Sequence, residues 1–151
     1  MEATMTIDDI FAAIAVHMKE GILFHDYLSI CYDFIGITKY AKDHSKHYME
    51  ESKSYRSLLH YYCSHYHKLL KLREPVAPSP IPDSWYRYDT FQVDVKTKMA
   101  TIEELTTKWV DWERATKKLY SEMYCAALEI KDAAAAIYID KLVTDVTKEL
   151  K

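Results

Sequence analysis

Four acidic residues fall inside otherwise apolar helical faces, and acids in such places are where this chain could do chemistry. Glu20 lies on the row Ile10, Ala13, His17, Glu20, Phe24, Tyr27, Cys31 and Phe34, whose alternating spacing of three and four keeps one side of a helix turned inward. Glu51 lies on a second such row with His44, His47, Ser54 and Leu58, and Glu113 on a third with Trp109, Thr116 and Tyr120. Depth is read from the turns. Glu20 stands 17 residues before Ile37 and Glu51 stands 14 after it, a difference in height of about 4 to 5 Å at 1.5 Å per residue. Around Lys131, Glu113 stands 18 before and Asp145 stands 14 after, so the second half repeats the first. The match extends to tyrosine, since Tyr27 follows Glu20 by seven and Tyr120 follows Glu113 by seven, two turns along the same face. One acid per helix then meets at one interior level. Several carboxylates cannot share a dry interior without a compensating cation, because desolvation and mutual repulsion push protons onto them.

The elements that carry these residues are helices. The 151-residue chain holds only 2 glycines and 4 prolines, and every proline falls between Pro75 and Pro82. This length suits a single domain, 1–151. The spacing predicts an all-α fold with helices over about 6–36, 38–72, 95–130 and 132–150. Thr6 with Asp9 forms a capping box at the first start, Gly36 closes the first helix, Thr38 caps the second, and Asp132 caps the fourth. The third helix begins between Asp94 and Thr101. Pro75, Pro78, Pro80 and Pro82 make residues 73–94 an extended crossover; some 20 residues at ~3.1 Å each exceed the length of the second helix. The third helix therefore runs parallel to the second, and two antiparallel helical hairpins are joined by a long Pro-rich connection. Trp85, Tyr86 and Tyr88 are expected to pin that connection to the bundle.

This arrangement resembles the ferritin-like superfamily of four-helix bundles. The stretch from Glu20 through Tyr27-Leu28-Ser29 is similar to the first helix of ferritins, and the turn at Lys131-Asp132 followed by Asp145 is similar to their third-to-fourth helix region. The resemblance implies a di-metal centre, with Glu20, Glu51, Glu113 and Asp145 as ligands of iron or manganese and His47 as a further ligand. Tyr27, Tyr120, Ser54 and Lys148 are implied as supporting residues around it. The chain departs from the family where it matters: Ser54 stands where a histidine belongs in Glu51-Ser-Lys-Ser54, the last helix reads Asp145-Val-Thr-Lys148, and Val146 replaces a glutamine. His47, or His17 beside Glu20, is the available substitute imidazole.

Two other readings stand beside the metal one. In the first, the bundle is a non-catalytic scaffold whose acids are neutralised by Lys148 and by tyrosine hydrogen bonds. In the second, the surface formed by Tyr61, Tyr62, His65, Tyr66 and His67 meets a partner. A formal charge of −3 without basic runs argues against nucleic acid, and no apolar run reaches the ~18 residues needed to span a bilayer. Cys31, Cys63 and Cys125 lack metal spacing and read as small buried residues of a reducing compartment, so a cytoplasmic location is expected. Metal ions and further copies of the chain, as a homo-oligomer, are the expected partners. There is no phosphate loop, no nucleophile elbow, no Cys-x-x-Cys and no His-Glu-x-x-His.

Overall fold

The computed structural model describes residues 4–76, 79–81, 83–87 and 95–150. Pro78, Pro82, Tyr88 and Asp94, which figured in the crossover and helix-start expectations, lie outside them. The elements are α1 (Ile7–Phe34), α2 (Thr38–Tyr66), a short 3-10 segment (Asp83–Arg87), α3 (Val95–Glu129) and α4 (Ala133–Glu149), an all-α four-helix bundle. Thr6 caps α1 as expected: its hydroxyl accepts from Asp9 N–H at 3.1 Å while its own N–H donates to the Asp9 carboxylate. Asp132 caps α4 by accepting from Ala135 N–H at 3.0 Å. Thr38 does not cap α2; the N-cap position is Ile37, which makes no side-chain bond.

Both hairpin turns have the same construction. Ile37 N–H donates to Tyr32 O and Gly36 N–H to Asp33 O; in the second turn Asp132 N–H donates to Ala127 O and Lys131 N–H to Leu128 O. Each is a Schellman closure with a left-handed residue just past the helix end, Gly36 at φ 80° and Lys131 at φ 59°. A third left-handed residue, His67 at φ 58°, ends α2 at Tyr66 rather than at residue 72. That early stop adds six residues to the crossover.

α1 runs antiparallel to α2 and, judged by His17 beside Thr116 and Tyr32 beside Thr106, antiparallel to α3. α4 runs antiparallel to α2, since Tyr66 meets Asp132 and Tyr61 stacks on Tyr138 at 4.3 Å. Hence α2 and α3 are parallel, and the connection must travel the bundle's length. It does so along α1: Arg73 pairs with Glu20 at 3.1 Å, Val76 N–H donates to Glu20 Oε1, Trp85 stacks on Phe34 at 5.3 Å, and Lys108 donates to Pro80 O. Trp85 is buried whereas Tyr86 is exposed, so Trp85 does the pinning.

The apolar interior forms two clusters. One gathers Phe11, Ile14, Met18, Leu58, Tyr62, Met123, Ile139 and Val146; the other gathers Phe24, Leu28, Tyr32, Ala41, Trp85 and Leu105. Between them lies a polar layer containing His25, His44, Glu113 and Thr116, all buried. The surface expected from Tyr61 to His67 is divided: Tyr62 is buried and Tyr61 and Tyr66 are partly buried around Phe11, while His65 and His67 are exposed. Of the cysteines only Cys31 is buried; Cys63 and Cys125 sit on outward faces as exposed free thiols. No helix among the described residues is long and apolar enough to cross a membrane.

The paired turns yield a stability test. Lys131→Gly removes the strain of a side chain in the left-handed region and should raise stability by ~0.5–1 kcal/mol. Gly36→Ala introduces that strain and should lower it by about 1 kcal/mol or more. Urea midpoints at constant slope measure both.

Candidate metal centre

The polar layer brings together residues from all four helices. His25 comes from α1, His44, His47, Glu50 and Glu51 from α2, Glu113 from α3 and Glu149 from α4. Two triads are formed. His25, Glu51 and Glu113 have ligand atoms within 4.8 Å of one another, and so do His47, Glu50 and Glu149. The first is interior, with His25 1% and Glu113 2% exposed; the second is peripheral, with the His47 side chain 25% and Glu50 51% exposed. A cavity lined by Glu51, Glu113, His47, Glu50 and Glu149 joins the triads.

Glu113 is the unusual member. Its Oε1 lies 3.4 Å from His25 Nε2, and the Glu149 carboxyl and the Trp109 indole N–H stand close beside it, yet among the described residues neither its oxygens nor Trp109 Nε1 complete a hydrogen bond of good geometry. A buried carboxylate normally accepts several bonds, and leaving it without them costs at least ~1–3 kcal/mol. Burial raises its pKa, against the opposing effect of the Glu149 carboxyl and the Trp109 indole N–H beside it. Glu51 is pushed up to about 8, first by burial and then by Glu113, Glu149 and Glu50. Glu149, exposed as a residue, has its carboxyl held up to about 8 by burial and by its interaction with Glu113. Tyr120, buried beside these acids, is raised by burial and by Glu51, Glu113 and Glu149.

The histidines are set in the opposite sense. Burial lowers His25 to about 3, with His47 adding to it, and lowers His44 to about 3, with His25 and His47 adding to it. Both rings are neutral at pH 7. His25 Nδ1 and His44 Nδ1 are 3.3 Å apart, so one carries the proton and the other accepts it. If His25 Nε2 offers its lone pair toward Glu113 and a shared cation, its proton sits on Nδ1 and is donated to His44. His44 is held for this by stacking on Tyr32 at 5.3 Å, 5° from parallel.

The expected site is thereby corrected at several positions. Glu20 faces away from the layer and holds Arg73 and the Val76 amide; α1 is apolar nearly all round, so a one-residue rotation of its inward row went unmarked. The inward row is Ile14, Met18, Gly21, His25, Leu28 and Tyr32, whose one titratable group apart from Tyr32 is His25. Asp145 is exposed at the edge of the cavity, because on the last turns of α4 it is its neighbour Val146 that faces inward, in line with buried Ala135 and Ile139. From Val146 the inward row continues to Glu149, which stands 18 residues after Lys131 just as Glu113 stands 18 before it. Glu51, Glu113 and His47 are brought together, with Tyr120 and exposed Ser54 on the cavity wall. Tyr27 does not line the cavity, and Lys148 is exposed with no ion pair among the described residues, so it does not neutralise the acids. His17 is a structural residue: Thr116 Oγ1 donates to Trp112 O, which leaves it to accept from His17 Nε2–H at 2.6 Å, and the ring stacks on Trp112. His25, Glu50 and Glu149 were missed.

These shifts give the metal-free protein a stability optimum. The acids raised to about 8 from 4.5 favour the folded state below pH 4.5, and that contribution is lost as pH rises through 8. The histidines lowered to about 3 from 6.5 contribute above pH 6.5 and lose that contribution as pH falls through 3. Thermal unfolding of chelator-treated protein should therefore show a maximum near pH 4.5–6.5 and a decline from 6.5 to 8; a midpoint rising over pH 6.5–8 contradicts these assignments.

Comparison with known proteins finds no matching family, no relative among characterised sequences and no similar solved structure.

Proposed function

We propose that this protein is ferritin-like in function as well as in outline: it holds a pair of divalent cations, iron or manganese, between its four helices. The interior ion would be held by His25, Glu51 and Glu113, and the peripheral ion by His47, Glu50 and Glu149. The observation that carries this reading is the fully buried Glu113 carboxylate, set against other acids and with no hydrogen bond of good geometry to either oxygen. Such a group is costly in a protein that never neutralises it and useful in one that binds a cation.

The donor chemistry supports the same reading. Four carboxylates and two imidazoles, without a thiolate, suit iron(II), manganese(II) or zinc rather than a soft ion. Four negative charges balance two divalent cations. Di-iron and di-manganese bundles use the same number of each donor, although they draw the histidines from Glu-x-x-His turns and this chain draws them from His25 and His47. Donors about 2.1 Å from an ion lie roughly 3 to 4 Å apart, so the triads need only a small contraction. Bound ions supply Lewis acidity or, for iron, redox chemistry; the chain holds the imidazole tautomer through His44, restricts water through Trp109 and Trp112, and keeps Tyr120 protonated beside the acids.

Two variants test the proposal. Wild-type protein at pH 7.5 should bind two manganese ions per chain and gain thermal stability from them, whereas Glu113→Ala should lose the interior ion and reduce overall affinity at least tenfold. Glu113→Leu should behave in a way a structural acid would not: it should unfold at higher temperature than wild type when both are metal-free, by about 1–4 kcal/mol, and gain less on addition of manganese. Titration calorimetry and thermal melts read both. A wild type that binds no iron, manganese or zinc, with Glu113→Leu destabilised, favours instead a metal-free scaffold whose acids are neutralised by protons.

A further inference from the structure

The two triads differ in their access to solvent, and the difference assigns them different roles. His25 and Glu113 are buried, Phe24 packs between His25 and Trp112, and Gly21 leaves little spare room, since an added Cβ would stand 3.3 Å from Trp112 Nε1 and 3.7 Å from Glu51 Oε2. The small cavity joining the triads has a volume of about 70 Å3 and opens between α2 and α4, where exposed Ser54 and Asp145 form its rim. A second hollow, bounded by Tyr32, Asp43, His44 and Trp109, reaches His47 and Glu50 but neither Glu51 nor Glu113. The second hollow thus meets the peripheral triad alone, while the first touches both triads and has the exposed residues of the peripheral one, Glu50 and Glu149, in its wall.

A third hollow, between Trp109, Arg114 and Leu150, touches Glu113 and Glu149 directly. Its charged wall beyond the centre is Arg114, which repels a cation, whereas the rim between α2 and α4 carries Asp145 with Glu50 and Glu149 behind it. Lys46 borders the second hollow but is offset there by Asp43 and by Glu50, with which it pairs at 3.9 Å.

We infer that His47, Glu50 and Glu149 form a transit site, through which a divalent cation entering between α2 and α4 is handed to the buried His25, Glu51 and Glu113. The inference rests on the metal-binding reading above and adds an order to it: the peripheral ion exchanges with solvent, and the interior ion is loaded through it rather than past Arg114. Glu51 and Glu149 bridge the path, since both border the joining cavity together with Glu113.

Stopped-flow absorption with cobalt(II) as the probe tests the order. Metal-free wild-type protein should take up two ions in two phases. The double variant His47→Gln with Glu50→Gln should bind one ion with an affinity within about threefold of the wild-type interior site, but load it at least tenfold more slowly. Asp145→Lys, on the rim and outside either triad, should slow loading severalfold with two ions still bound at equilibrium, and the effect should shrink in high salt. Arg114→Glu should leave the rate within twofold. The transit role is overturned if the double variant loads at the wild-type rate, if it binds no ion at all, or if Arg114→Glu accelerates loading while Asp145→Lys does nothing. A wild type that binds no cobalt, manganese or iron removes the metal-binding reading and the route with it; two ions bound with an unchanged rate in the double variant remove the route alone.

Discussion

The cost of burying negative charge governs the middle of this protein. Glu113 is buried with no hydrogen bond of good geometry to either oxygen, the Glu51 pKa is raised by burial and then by Glu113 and Glu149, that of Glu149 by burial and then by Glu113, and no lysine or arginine is paired with any of the three among the described residues. Proteins tolerate such an arrangement in two ways, by protonating the acids or by placing a cation among them. Protons satisfy the acids below about pH 8, but they do not explain why neutral imidazoles from α1 and α2 are gathered beside them, nor why His44 is placed to fix the tautomer of His25.

The bundle is arranged around that layer. Apolar clusters lie on both sides of it, and the helices cross it at a common level because each hairpin closes with the same turn at Gly36 and at Lys131. The parallel placement of α2 and α3 puts Glu51 across from Glu113, and the crossover seals the outer side of α1 through Glu20 and Trp85. A simple up-down-up-down bundle would separate these acids differently. Topology and site are therefore one constraint: the long connection is what lets four helices contribute to one cross-section.

How far the sequence shows this depends on the helix. Proline placement and the two turns mark the architecture plainly, because Pro75 to Pro82 exclude helix and Gly36 and Lys131-Asp132 close it. On α2 and α3 the faces are clearly two-sided, so Glu51, His47 and Glu113 could be placed. On α1 apolar residues fall on most sides of the helix, so periodicity fixes the phase of its inward row poorly; the row through Glu20 and the row through His25 differ by one residue, and Glu20 pairs with Arg73 away from the polar layer. On α4 Asp145 and Glu149 both lie near the right depth, and the burial of Val146 rather than height decides between them. The left-handed His67 that shortens α2 has no sequence signal beyond its neighbours.

The most direct test is a crystal structure of the protein grown with manganese(II), examined by anomalous scattering. The account predicts two peaks about 3.5–4 Å apart, one between His25, Glu51 and Glu113 and the other between His47, Glu50 and Glu149, with both Glu113 oxygens engaged. A map without anomalous density in the polar layer, in which Glu113 is instead satisfied by protein groups or ordered water, would contradict it.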